Sequence, residues 1–307
     1  MGSKAFQRIF GIAFYGIAAL FLVFYAQSLD WDSLGELEVN FGWLAVATIL
    51  GIATRFLFAR IWLFFLSQSG EVKTADRAEL YLVYAKSWLG RYIPGSVTWV
   101  IGKVVFAAKL GISKSRLAVS SFLEAVLQLL TVLLTATLLL VVDPRTFEFA
   151  GNWVWFLLAA AVIGLVFVLP PVFKAWASIA YKLIRKSELD EQLVPSSQAL
   201  LSGFLLFVLS SLLSGLALFF VAMAVVPGLG FENMLFVLAA SNLASAVSMV
   251  AVFAPAGIGV REAVQIAALS VVMSPAEALV VAIAMRLVSL VWDLLFPVLA
   301  RVRKTAQ

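Results

Sequence analysis

The stretch FAPAGIGVRE, from Phe253 to Glu262, interrupts a long apolar run with a proline, two glycines, an arginine and a glutamate. A charge or an unpaired backbone group is unfavourable inside a hydrocarbon layer. The residues of the break must therefore find partners for their charges and for their backbone hydrogen-bonding groups. Gly257 and Gly259 allow a ligand to approach the backbone closely, and the helix that follows offers free N–H groups at its N-terminus. With the bidentate donor Arg261 beside them, these groups predict a binding site for phosphate or another anion.

A second break, RYIPGS, begins at Arg91 and is followed by Lys103. Pro94 and Gly95 interrupt the helical pattern here, as Pro255 does in the first motif. Either break alone is also typical of a tight hairpin packed among its neighbours. Because the pattern occurs twice, each time beside basic residues, it favours anion binding.

The apolar segments carry more basic than acidic side chains. Seven bases lie within them: Arg55, Arg60, Lys86, Arg91, Lys103, Arg261 and Arg286. Three acids accompany them: Glu124, Glu262 and Asp293. Since three acids cannot neutralise seven bases, an anionic ligand or a water-filled cavity must complete the balance. We therefore expect the substrate to be bound by Arg91, Lys103, Arg261, Arg286, Gly257 and Gly259.

The role of the three acids stays open at the level of sequence. Glu124 and Glu262 are candidate proton-coupling carboxylates, and structural counter-ions to the arginines are an equal alternative. Asp293 lies seven residues after Arg286 on one helical face, so this pair is either structural or part of the site.

The composition excludes most other classes of function. Of 307 residues, 63% are hydrophobic and only 13% are charged, whereas charged residues reach about 25% in soluble domains. The absence of cysteine and histidine removes thiol catalysis, histidine-based catalysis and the usual zinc sites. We expect no metal, no cofactor, no nucleic-acid partner and no enzymatic activity, with hydrolysis of a lipid phosphate as the least favoured alternative.

Hydropathy predicts an all-α integral membrane protein with a single transmembrane domain over residues 1–307. A bilayer requires ~20 apolar residues per span, and six runs satisfy this as full spans: 9–27, 41–66, 117–142, 153–171, 199–226 and 277–300. Two further stretches, 78–111 and 233–273, contain the breaks and are expected to be re-entrant helical hairpins, or else two shallow spans each. The first run also resembles a signal peptide, but its length favours a retained helix.

Loop charges predict the orientation of the chain. If each broken stretch enters and leaves on one side, fourteen basic loop residues face the cytoplasm and only Arg145 lies outside. Both termini are then cytoplasmic. Residues 172–186 form an amphipathic pattern with basic residues on one face, which predicts an interfacial helix or a spacer helix covering the bundle.

A displacement of 161 residues places Pro94 on Pro255 and aligns the two broken elements. Each unit, 78–142 and 233–300, contains a half-helix, a break, a second half-helix, a short turn and a long span. The charge argument gives the two units opposite orientations, so the sequence predicts inverted repeats of the kind used for alternating access. A chance likeness between two proline-broken helices is the alternative.

The segments from Leu89 to Leu130 and from Phe253 to Leu269 resemble the transmembrane region of the lysylphosphatidylglycerol synthase/flippase family, which comprises the multiple peptide resistance factors and their stand-alone relatives. The resemblance implies a multi-pass protein of the cytoplasmic membrane of a prokaryote. It also implies a flippase of aminoacylated phosphatidylglycerol or, in shorter relatives, of a polyprenyl-linked or other phosphate-bearing lipid. The residues that match the family motifs are Pro94, Gly95, Gly102, Pro255, Gly257, Gly259, Arg261 and Glu262.

Two positions depart from the family pattern. Lys103 stands where many relatives have an acidic residue, and Ala125 follows Glu124 where they tend to have arginine. The soluble synthetase domain is also missing, so we do not expect this polypeptide to transfer lysine. The expected function is a lipid flippase-like transporter that binds anionic headgroups. The alternative is a non-transporting membrane partner or scaffold of a glycosyltransferase or lipid synthase.

Overall fold

A computed structural model describes residues 38–68, 77–92, 98–146, 152–185, 194–251 and 257–305. Within these ranges the regular elements are helices. Ten are α-helices: α1 (Phe41–Ser67), α2 (Arg77–Trp88), α3 (Thr98–Ala108), α4 (Lys114–Val142), α5 (Trp153–Val168), α6 (Pro170–Arg185), α7 (Ser197–Val225), α8 (Met234–Val250), α9 (Val260–Leu269) and α10 (Pro275–Thr305). There are also two 3₁₀-helices. Leu89–Tyr92 continues α2, and Phe231–Asn233 directly precedes α8.

Helices α1, α4, α7 and α10 confirm four of the predicted spans, because each is long and apolar enough to cross a membrane. Polar side chains determine where three of them begin. Asn40 accepts hydrogen bonds from the backbone N–H groups of Gly42 and Trp43, while Ser113 and Ser196 cap α4 and α7 in the same way. The predicted first span, 9–27, and both termini lie outside the described residues.

The predicted full span over 153–171 is not confirmed, because the helix in this region is interrupted. Helix α5 ends at Val168, and the chain bends by 85° before α6 begins at Pro170. Proline cannot donate a backbone hydrogen bond to the preceding turn, so Pro170 and Pro171 begin a new helix rather than extend the old one. Helix α5 has 16 residues and is about 24 Å long, shorter than the ~30 Å hydrocarbon core.

The two broken stretches differ from each other. Helices α2 and α3 have 12 and 11 residues, about 18 and 17 Å, and they pack against each other as the limbs of a re-entrant hairpin would. In the second stretch, Phe231–Val250 forms 20 residues of helix, long enough to span a membrane. The re-entrant hairpin is therefore not confirmed there, and this fifth candidate span agrees with the alternative of two spans.

The packing of the two predicted units is reciprocal. Displaced by 161 residues, α3 and α4 fall on α9 and α10, and all of α2 falls within α8. Helix α4 of the first unit packs against α8 of the second, and α10 of the second packs against α2 of the first. A two-fold relation between repeats would produce this exchange. The opposite orientation of the units stays a prediction.

Helix α1 lies in the centre of the described bundle and packs closely on α7 and α10. Gly51 contacts the ring of Trp292 in α10, and Gly203 of α7 contacts the ring of Phe65, both where a Cβ atom would overlap the ring. Small residues let helices approach each other in membranes, where dispersion contacts rather than the hydrophobic effect hold helices together. This close packing brings the polar residues of α1 and α10 into contact.

Helix α6 corresponds to the amphipathic segment predicted over 172–186. Phe173 and Ala177 are buried against the bundle, so part of its apolar face packs inward. Ile179 and Leu183 remain exposed, at 61% and 77% of their surface. The helix thus contacts the bundle, as a spacer helix would, and keeps a separate apolar surface, as an interfacial helix would. Its location at a lipid interface stays a prediction.

Candidate functional site

A cavity of about 310 Å³ lies between the helices at the level of the two breaks. Its volume is at the lower end of the range for small-molecule sites. Four arginines from four different elements line it: Arg55 of α1, Arg91 of the 3₁₀-helix, Arg261 of α9 and Arg286 of α10. The sequence predicted three of these as substrate-binding residues, and the structure brings them together.

Asp293 of α10 also lines the cavity and is the centre of a hydrogen-bond network. Its Oδ1 accepts from Arg55 Nε and from Trp88 Nε1, each at 2.9 Å, and its Oδ2 accepts from the Tyr92 hydroxyl at 2.6 Å. The Arg55 guanidinium lies against the rings of Trp88 and Trp292, 5.8 and 5.1 Å from their centroids. Asp293 therefore serves as the counter-ion of Arg55.

The sequence left open whether Arg286 and Asp293 form a structural pair within α10, and the structure gives Arg286 an ion pair with Glu262 of α9. Arg286 Nη1 lies 3.6 Å from Glu262 Oε1, and its guanidinium faces the ring of Tyr92 at 5.6 Å. The other carboxylate oxygen of Glu262 accepts a hydrogen bond from the backbone N–H of Gly259 at 2.7 Å. Glu262 thus closes the N-terminus of α9 and balances Arg286, and its geometry is that of a structural counter-ion.

Arg91 and Arg261 have no such partner. Among the described residues, no carboxylate lies within ion-pairing distance of either guanidinium. The Arg91 guanidinium stacks on Trp88, 3.9 Å from the ring centroid. The buried Nε of Arg261 has no hydrogen-bond partner in the described part of the chain. Since an unpaired buried charge is strongly unfavourable, these two groups are the best candidates for contact with a ligand.

Lys103 and Glu124 do not line the cavity. They form an ion pair behind it, in which both side chains are fully buried, and the Tyr84 hydroxyl donates to Glu124 at 2.9 Å. The Lys103 ammonium also faces the rings of Trp62 and Trp99. The structure therefore does not support the prediction that Lys103 binds the substrate, because its charge is compensated and enclosed. Glu124 has the geometry of its counter-ion.

The two glycines of the FAPAGIGVRE motif lie beside the cavity and at the start of α9. Gly257 lines the cavity with φ of 68°, and an added Cβ would lie only 2.6 Å from the Cβ of Ser248. Gly259 has φ of 84° and forms the N-cap of α9. Both therefore require glycine for conformation, and Gly257 also for space. The predicted break residues Pro94, Gly95 and Pro255 lie outside the described residues.

One part of the remaining wall is polar but uncharged, while Phe58, Val132 and Met249 are among its apolar residues. The polar part is formed by the side chains of Gln128, Ser210, Ser211, Ser214, Asn242, Ser245 and Ser248. The hydroxyls of Ser210 and Ser245 donate to carbonyls of their own helices at 2.9 and 2.8 Å, and the Asn242 amide donates to the Leu238 carbonyl at 2.8 Å. Their oxygens are left to act as acceptors. These residues present hydrogen-bond acceptors to a ligand, whereas the arginines present hydrogen-bond donors.

Sequence reasoning missed Arg55 and this serine wall. Arg55 was counted among the buried bases, but its partner lies 238 residues away in the chain. The serines carried a usable signal, because Ser210, Ser214 and then Ser241, Ser245 and Ser248 recur every three or four residues in apolar helices. Such spacing places them on one helical face.

Taken together, the site can hold an anion but has few groups for acid–base chemistry. The cavity lining includes one carboxylate, Asp293, whose oxygens already accept three hydrogen bonds. No group of three acidic side chains that could hold a metal ion occurs in the described ranges.

The comparisons with known proteins agree with the helical, membrane-embedded character of the chain. A search of curated proteins gave no match. A protein family described as "Lysylphosphatidylglycerol synthase TM region" matches residues 8–296. This range includes both breaks, the four arginines and every described helix up to the last turns of α10. The chain therefore belongs to the lysylphosphatidylglycerol synthase transmembrane-region family, whose name indicates a membrane function related to lipids.

Proposed function

We propose that the protein is a lipid flippase-like transporter that moves a phosphate-bearing lipid between leaflets by alternating access. The observation that carries the proposal is the cavity lined by four arginines inside an apolar helical bundle. Two of these guanidinium groups lack a carboxylate partner among the described residues. A buried positive excess of this kind is expected where a negatively charged group enters the membrane interior.

In the proposed cycle, the headgroup enters the cavity while the acyl or prenyl chains stay in the bilayer. Arg91 and Arg261 bind the phosphate with charge-assisted hydrogen bonds, and Gly257 leaves room for it against the backbone. Arg91 belongs to the first repeat unit and Arg261 to the second, so a bound phosphate bridges the two units. Movement of one unit relative to the other would then expose the site to each leaflet in turn.

The test is a flip assay with purified protein in vesicles that contain fluorescent phospholipids. Translocation is measured as the fraction of fluorescence that a membrane-impermeant quencher can no longer reach. We expect the wild type to translocate an anionic phospholipid and Arg261→Ala to lose at least nine-tenths of the rate. Arg60→Ala is the matched control, because Arg60 is exposed and lies on α1 away from the cavity.

Two results would contradict the proposal. Translocation by the wild type at the rate of empty vesicles would show that the protein is not a transporter of these lipids. Normal translocation by Arg261→Ala would show that the cavity is not part of the transport path. Size-exclusion profiles of both variants establish that a loss of rate does not come from misfolding.

Helix α6 favours a second candidate function. Its exposed Ile179 and Leu183, next to the exposed Lys182, form a surface on which a membrane-bound glycosyltransferase or lipid synthase could dock. A non-transporting partner of such an enzyme predicts that cavity variants keep full function in cells, whereas Ile179→Ser together with Leu183→Ser abolishes it. Co-purification of an enzyme with the wild type and not with this double variant would decide for the second candidate.

A further inference from the structure

The charges around the cavity do not balance. Asp293 compensates Arg55, and Glu262 compensates Arg286. Arg91 and Arg261 also line the cavity and have no carboxylate within ion-pairing distance in the described part of the chain. The adjacent pair of Lys103 and Glu124 is neutral as a unit. The described site therefore carries an excess of two positive charges.

We propose that the site selects a doubly charged phosphate, as found in a lipid phosphomonoester or diphosphate, over the singly charged phosphodiester of an ordinary phospholipid. The assignment to a lipid rests on the proposed transport function. A phosphomonoester carries a charge of about −1.5 to −2 at pH 7, which matches the excess. A phosphodiester leaves one guanidinium uncompensated inside the protein, and this is unfavourable in a low-dielectric interior.

The same geometry rejects headgroups that carry an amine. A free carboxylate is the strongest partner for an ammonium group, but both acids near the cavity are occupied. Asp293 accepts three hydrogen bonds, and Glu262 is held by the backbone of Gly259 and by Arg286. The uncharged wall offers only neutral acceptors such as Ser210 and Asn242. An aminoacylated phospholipid would therefore place its positive charge among arginines without an anionic partner.

Binding is measured on the purified full chain in nanodiscs of zwitterionic lipid at pH 7.5. Trp88 and Trp99 line the cavity, so intrinsic fluorescence reports its occupancy. The probes are short-chain phosphatidic acid, phosphatidylglycerol and lysylphosphatidylglycerol with the same acyl chains, and inorganic phosphate. We expect phosphatidic acid to bind at least tenfold more tightly than phosphatidylglycerol, about 1.4 kcal/mol, and lysylphosphatidylglycerol to bind more weakly than either.

Charge-neutral variants test the origin of this preference. Arg261→Gln removes one of the two uncompensated charges, so the preference for phosphatidic acid should fall from tenfold to threefold or less. Arg91→Gln should have the same effect and serves as the second variant. Arg60→Gln, the exposed control on α1, should keep the tenfold preference.

The stability of the ligand-free protein distinguishes a binding role of Arg261 from a structural role. Replacing an uncompensated buried charge by a neutral amide relieves an unfavourable term, so ligand-free Arg261→Gln should unfold at a higher temperature than the wild type. If Arg261 instead held the fold together, the same change would lower the unfolding temperature and its effect on binding would be indirect.

The outcomes separate this inference from the proposed function. Equal binding of phosphatidic acid and phosphatidylglycerol, or tighter binding of the lysylated lipid, overturns the charge selectivity even if lipids are flipped. A tenfold preference without any translocation keeps the selectivity and overturns transport. Binding of inorganic phosphate without any binding of phosphatidic acid assigns the dianion site to a soluble ion and overturns the lipid assignment.

Discussion

The buried pair of Lys103 and Glu124 allows a quantitative test of how charges are held in this bundle. Both side chains are fully buried, and Tyr84 donates a further hydrogen bond to the carboxylate. Removing one partner leaves an uncompensated charge in the interior, which costs about 3–5 kcal/mol. We expect Glu124→Leu and Lys103→Met each to lower the free energy of unfolding by this amount.

The double variant is the informative one. Lys103→Met combined with Glu124→Leu removes both charges and keeps apolar side chains of similar volume. Replacing a buried pair in this way is often neutral or stabilising by about 1–4 kcal/mol, so the double variant should be at least as stable as the wild type. Lys109→Met is the control, since Lys109 is exposed in the turn directly after the helix that carries Lys103 and should change stability by no more than about 0.5 kcal/mol.

The assay is denaturant-induced unfolding in detergent micelles, followed by tryptophan fluorescence. The four proteins of the double-mutant cycle give the coupling energy between the two sites. Additive effects, with coupling of no more than about 0.5 kcal/mol, would refute the argument that the charges compensate each other. A stable double variant that no longer moves lipid would instead support the proton-coupling alternative for Glu124, because folding would no longer depend on the pair.

Two further predictions concern regions outside the cavity. Gly51→Ala places a Cβ on the fully buried ring of Trp292 and should lower the free energy of unfolding by about 1–3 kcal/mol. Gly164→Ala is the control, because its Cβ would lie 3.4 Å from Leu134, and it should be neutral or stabilising in the same unfolding assay. Arg145 donates to both carboxylate oxygens of Asp143 and holds the pKa of Asp143 below its ordinary value. The stability from this pair is present above the unfolded pKa of about 3.9 and is lost as the pH falls through the folded pKa. The melting temperatures of the wild type and Arg145→Gln should therefore differ at pH 6, and the difference should shrink as the pH falls below the folded pKa of Asp143.

The long helices could be predicted from sequence because their physical requirement is local. A helix that crosses a membrane needs a run of apolar residues of a given length, and hydropathy located α1, α4, α7 and α10 within a few residues. The same criterion did not separate α8 from the rest of its apolar stretch, because the break that follows made it resemble a half-helix. Asn242, Ser245 and Ser248 of α8 line the cavity, so this ambiguity lies at the site.

The partners of the buried charges could not be predicted, because they depend on which helices pack together. Asp293 and Arg286 share a helical face, and the periodicity left open whether they form a pair. The packing of α1 against α10 brings Arg55 to Asp293 instead, and α9 brings Glu262 to Arg286. The number of buried bases and acids was available from the sequence. That number was enough to predict an anion site but not to identify which bases were left unpaired.

The distribution of compensated charges bears on how binding could drive movement. The contacts of Asp293 connect α10 of the second unit to α1 and to the α2 region of the first, and they need no ligand. The two uncompensated arginines lie close to the breaks, one in each unit. Without an anion, Arg91 and Arg261 repel each other and favour separation of the units at the cavity. A bound phosphate reverses the sign of this interaction, so the occupied and empty sites favour different arrangements of the same helices, as alternating access requires.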